Sequence, residues 1–69
     1  MRNYKMWKSN VGYTEFRVQS NGDYEITGYA WIAVRDSYRL CYKRIVDAIE
    51  ADEIYRRLER KGYVMSFIV

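Results

Sequence analysis

The hydrophobic pattern changes period at Asp47, and that change sets the fold class. Before it, Thr14, Phe16 and Val18 alternate with Tyr13, Glu15, Arg17 and Gln19, and Tyr24, Ile26, Gly28, Ala30, Ile32 and Val34 alternate with Glu25, Thr27, Tyr29 and Trp31. A period of two is that of a strand with one face buried. After it, Ala48, Ala51, Ile54, Tyr55 and Leu58 recur at three- and four-residue steps, which is one stripe of a helix. Asp47 with Glu50 forms an acidic capping arrangement, Gly62 supplies a stop, acids crowd the first half and bases the last. The spacing predicts a helix over about 48–61.

Strand register follows from chemistry. A two-residue Asn21-Gly22 turn would set Phe16 opposite Thr27 and Val18 opposite Glu25, mixing apolar with polar. A three-residue Ser20-Asn21-Gly22 loop with Gly22 in the left-handed region instead pairs Val18 with Tyr24, Phe16 with Ile26 and Thr14 with Gly28. Arg17 then meets Glu25 on the other face. The same reasoning at Arg35-Asp36-Ser37 predicts Tyr38, Leu40 and Tyr42 opposite Val34, Ile32 and Ala30, with Arg39, Cys41 and Lys43 opposite Ala33, Trp31 and Tyr29. Residues 4–8 suggest a further strand turning at Ser9-Asn10. The run 64–69 is apolar on both faces, so it is either a sheathed strand or one completed by a second subunit.

The expected architecture is α+β: a single domain, 1–69, with an antiparallel sheet of three to five strands, one helix packed on one face, and a short terminal strand. The expected core is Phe16, Val18, Ile26, Ala30, Ile32, Leu40, Ile54 and Leu58, with Tyr24, Tyr38, Tyr42 and Tyr55 packing on that side. A chain of 69 residues buries a modest core, so oligomerisation is a natural complement. With one Cys and no His, neither a disulfide framework nor a zinc cluster is available to staple it.

The same absences narrow the chemistry. Without His, Cys41 has no imidazole to activate it, and neither a P-loop nor a dinucleotide-binding glycine pattern occurs. Cys41 reads as a half-buried apolar filler, and the acids near residue 50 as a solvated helix start. No catalytic residue, metal ligand or cofactor is predicted; the chain reads as a non-enzymatic protein. No apolar stretch approaches the ~20 residues of a membrane span, and the N-terminus lacks a signal-peptide core, so the expected location is cytoplasmic and no membrane partner is expected. The net charge of +3 is only mildly basic.

What remains is a surface. If the helix covers the Phe16/Ile26 face, then Tyr13, Tyr29 and Trp31 lie on the opposite face beside Arg17, Arg39 and Lys43. Such a face is either covered by the termini or a second copy of the chain, or it binds a protein, or it stacks single-stranded nucleic acid. Glu15 and Glu25 on the same face count against phosphate. The sequence therefore favours a protein-contact module, a homodimer or a small regulator or inhibitor docking on a larger assembly, with nucleic-acid binding as the alternative. Ile49, Arg56 and Arg60, on the outer side of the helix, form a secondary candidate surface.

Overall fold

The computed structural model describes residues 2–68; Met1 and Val69, the last of the terminal apolar run, lie outside them. The elements are β1 (Tyr4–Lys8), β2 (Gly12–Val18), β3 (Tyr24–Ile32), a short 3-10 turn (Ala33–Arg35), β4 (Ser37–Val46), α1 (Ala48–Arg60) and β5 (Val64–Phe67). All five strands form one antiparallel sheet in the order β4-β3-β2-β1-β5. The fold is α+β, with the helix in the C-terminal half, as the change of period implies. Among the described residues no helix is long and apolar enough to cross a membrane.

The central hairpin takes the anticipated register: Val18 faces Tyr24, Phe16 faces Ile26 and Thr14 faces Gly28. Gly22 lies at φ +91°, and Gln19 N–H donates to the Asp23 carbonyl at 2.7 Å to close the loop. Asn10 occupies the left-handed region at φ +65° in the turn between β1 and β2, a conformation its short polar side chain tolerates. At the helix start Asp47 Oδ1 accepts from Glu50 N–H at 2.8 Å. Beyond its end Gly62, at φ +92°, lets Tyr63 N–H reach back to the Leu58 carbonyl at 3.1 Å, a Schellman closure that turns the chain into β5.

The core lies between the helix and one face of the sheet and comprises Met6, Phe16, Ile26, Val46, Ala51 and Ile54, with Tyr4, Tyr24, Tyr55, Leu58, Tyr63 and Met65 packed around it. Of the expected core, Phe16, Ile26 and Ile54 are buried and Leu58 packs at the margin; Val18, Ala30 and Ile32 are only half-buried. Met6 and Val46 fill the places that Ile32 and Leu40 were assigned, because the helix lies over β1 and β3 rather than over the far end of the β3–β4 hairpin.

The β3–β4 register departs from the sequence expectation. Ile32 faces Ser37, Trp31 faces Tyr38, Ala30 faces Arg39 and Tyr29 faces Leu40; beyond an irregularity beside Gly28, Tyr42 faces Gly28 rather than the expected Ala30, and Val46 faces Tyr24. The cause is a four-residue connection. Residues 33–35 make a 3-10 turn, and Asp36 supplies the left-handed residue at φ +50°, its N–H donating to the Ala33 carbonyl at 3.1 Å. Cys41 is the extra residue of a β-bulge, so Tyr38 and Leu40 point away from the helix while Tyr42, Arg44 and Val46 point toward it. Leu40 is thus 56% exposed and Tyr38 53% exposed on the far face, not core; Tyr42 keeps the helix side but stays exposed, its ring close over Gly28. Cys41 is exposed, not half-buried.

One packing detail gives a pH prediction. Tyr4 stacks on Phe16 with ring centroids 4.6 Å apart and meets Tyr55 edge-on at 5.8 Å. Burial, then the neighbouring Tyr24, Tyr55 and Asp52, push its hydroxyl from 10.0 up to about 12. The folded state therefore holds this proton where the unfolded chain has lost it, so the contribution is complete below pH 10.0 and is lost as pH rises through about 12. Two units on a fully buried group would be about 2.7 kcal/mol; solvent around the half-exposed ring reduces this to about 1 kcal/mol. Stability from urea unfolding should therefore fall more steeply between about pH 9 and about pH 11.5 in wild type than in Tyr4→Phe, which lacks the titrating hydroxyl; an identical alkaline decline in both would contradict the assignment.

Candidate functional site

Among the described residues neither terminal strand covers the face of the sheet opposite the helix. Both β1 and β5 extend the sheet in its own plane, with β5 paired outside β1 (Met6 facing Met65), and Ile68 N–H donates to the Asn3 carbonyl at 2.9 Å. Of the coverings the sequence left open, those by the N- and C-terminal strands are thus removed. The far face carries Lys5 and Trp7 from β1, Tyr13, Glu15 and Arg17 from β2, Glu25, Thr27, Tyr29 and Trp31 from β3, and Tyr38, Leu40, Lys43 and Ile45 from β4 by strand alternation and register.

These residues separate into two zones. At one end Tyr13 and Tyr29, directly opposite in the ladder, stack at 4.6 Å and 21°. Tyr38 meets Tyr13 edge-on at 4.7 Å and Trp31 at 5.1 Å, so its ring stands between them. Contacts of this kind contribute about 0.5–1.5 kcal/mol each beyond burial, and they hold the rings in fixed orientations without a covering layer. Lys5 Nζ sits 5.6 Å from the Tyr13 ring centre, at the outer end of the range of a cation–π contact. Burial, and then the charge of Glu15, raise the Tyr13 hydroxyl above its ordinary value. Leu40 and Trp7 border it, both substantially exposed.

At the other end the charges neutralise one another. Arg17 Nη2 lies 2.6 Å from Glu15 Oε2, and Lys43 Nζ lies 3.8 Å from Glu25 Oε1. Arg17 is opposite Glu25 in register as expected, but its ion pair runs along its own strand and Glu25 is taken by Lys43. A buried threonine, Thr27, separates this zone from the aromatic one.

Of the predicted contact residues, Tyr13, Tyr29 and Trp31 come together, and Arg17 and Lys43 share their face at its polar end. Arg39 does not belong there: it faces Ala30 and projects on the helix side, because the four-residue turn shifts β4 relative to the expected pairing. The sequence reading missed Tyr38, Leu40 and Trp7. Trp7 was recoverable, since alternation within residues 4–8 places it opposite Tyr4 and Met6. Tyr38 and Leu40 were not, because the bulge reverses their face.

The secondary surface is dispersed. Ile49 is 74% exposed, Arg60 is exposed without an ion pair among the described residues, and Arg56 Nε is held by Asp52 Oδ2 at 2.8 Å. That bond, with the charge of Asp52, raises the Arg56 pKa.

The chain matches no protein-family model, and no curated protein or solved structure is significantly similar to it. Its function has to be read from its own residues.

Proposed function

We propose that this chain is a non-enzymatic binding module that makes protein contacts through the aromatic face of its sheet, as a small regulator or inhibitor on a larger protein or nucleoprotein assembly. The observation that supports this most is the Tyr13–Tyr29–Tyr38–Trp31 cluster, pre-ordered by its own ring contacts on a face that the other described residues leave open. Tyr and Trp concentrate binding energy at protein interfaces because they offer large apolar area with few torsions to freeze. Rings already locked in place lose less entropy on association. Leu40 beside them adds apolar area.

The charge arrangement favours protein over nucleic acid. Arg17 and Lys43, the cations best placed to hold phosphates on this face, are engaged by Glu15 and Glu25. A phosphate backbone would have to displace those carboxylates and then lie beside them. Labelled single-stranded DNA and RNA titrated at about 50 mM and about 200 mM salt distinguish the partner classes, since phosphate contacts weaken steeply over that interval. Anisotropy is expected to stay flat at both salts. Salt-steep binding that is lost in Trp31→Ala with Lys43→Ala would replace this reading with nucleic-acid binding on the same face.

A further inference from the structure

Strand β4 is an edge of the sheet: among the described residues it pairs only with β3, so along its outer side the backbone groups have no ladder partner there. It is the longest strand, ten residues, and nine of them are exposed. It carries Arg39, Lys43 and Arg44 and no acid. The helix lies over β1 and β3, and beside it, on the helix side of β3 and β4, a cleft of about 660 Å³ is lined by Tyr42, Arg44, Arg57, Leu58, Lys61 and Tyr63 among others. That lining contains three cations and no carboxylate. Arg44 is held by Glu50, whereas Arg57 and Lys61 form no ion pair among the described residues.

We propose that the β4 edge receives an extended acidic segment of a partner protein as a sixth strand. Main-chain bonds to the open edge fix its direction, and alternate side chains drop on the helix side, where their carboxylates meet Arg57 and Lys61. A second copy of this chain is a poor occupant, because antiparallel pairing of two β4 strands would bring Arg39, Lys43 and Arg44 of each against those of the other. Charge complementarity instead selects an acidic strand. This inference rests on the reading of the chain as a protein-binding module and names the chemistry of the partner.

The probe is a fluorescein-labelled peptide of about ten residues alternating Glu with Val and Thr, a length matched to β4. Two controls accompany it: the same peptide with Lys for Glu, and one with Pro at alternate positions, which removes ladder donors without changing charge. The acidic peptide is expected to bind and to slow amide hydrogen exchange along β4 but not β5. The Lys and Pro peptides should not bind, and Arg57→Gln with Lys61→Gln should weaken the acidic peptide about tenfold. Failure of the acidic peptide to bind, equal binding of the Pro peptide, or protection at β5 instead of β4 would each overturn the proposal. The aromatic-face reading is tested separately by contacts at Trp7, on β1 and three strands from the β4 edge, so the two can fail independently.

Discussion

Phe16→Ala is expected to leave the chain largely unfolded at 25 °C. Phe16 is fully buried, stacks on Tyr4 at 4.6 Å, and joins the equally enclosed Met6 and Ile26 in the small cluster between helix and sheet. Truncating a buried Phe costs about 3–5 kcal/mol, through lost transfer energy and the cavity left behind. A domain this small has a total stability of that same order. Three strands also meet at this residue, since Phe16 faces Tyr4 on one side and Ile26 on the other, so the cavity cannot be closed by shifting one neighbour. Far-UV circular dichroism and urea titration read the result. A cooperative transition within about 1 kcal/mol of wild type would show that the core lies elsewhere.

Gly12→Ala is expected to cost roughly 2–4 kcal/mol, the sum of backbone strain and a steric conflict. Gly12 sits at φ +153°, and a Cβ there would lie 2.1 Å from the Tyr29 carbonyl oxygen. That oxygen is backbone within a five-stranded sheet, so relief requires the β2 and β3 strands to separate where Gly12 faces Ala30. The next pair along is Tyr13 with Tyr29, so the displacement reaches the aromatic cluster directly. The variant should therefore lose near-UV ellipticity out of proportion to its lost stability. Wild-type near-UV signal at full stability would contradict the placement of Gly12.

The legible and illegible parts of this fold differ in how many constraints agree. Around Ser20-Asn21-Gly22 the glycine, the apolar face and the charged face all point to one register, and the β2–β3 pairing follows them. The helix was equally readable, its cap at Asp47 and closure at Gly62 bracketing a single stripe, and it ends at Arg60, one residue short of the expected boundary. At the second hairpin no glycine marks the turn, and Asp36 takes the left-handed conformation unannounced. A bulge is invisible to alternation, because a strand containing one carries two opposite alternations in succession. In β4, Tyr38 and Leu40 obey one of them while Tyr42 and Val46 obey the other, and a single-phase reading sent Leu40 to the core and Arg39 to the wrong face.

The same bulge enlarges the candidate site. By turning Tyr38 and Leu40 away from the helix it adds a ring between Tyr13 and Trp31 and an exposed leucine beside them. The three rings legible in the sequence thus become four, locked by contact geometry rather than by burial under another layer. The β3–β4 hairpin carries three of the four, and the molecule measures 39 Å along its long axis against 21 Å in the other directions. An interface placed there can be reached without disturbing the core.

The most direct test replaces Trp7 by a photoreactive benzoylphenylalanine and, in a second protein, Glu53 on the exposed side of the helix, and irradiates each in the cell that makes the chain. Trp7 faces Tyr13 at the border of the aromatic cluster, away from the β4 edge, and contributes nothing to the core, so both proteins should fold as wild type. A covalent adduct with another polypeptide from position 7, absent from position 53, is the predicted result. Folded protein that gives no adduct at 7, or equal yields at the two positions, would contradict the assignment of the aromatic face as the contact surface.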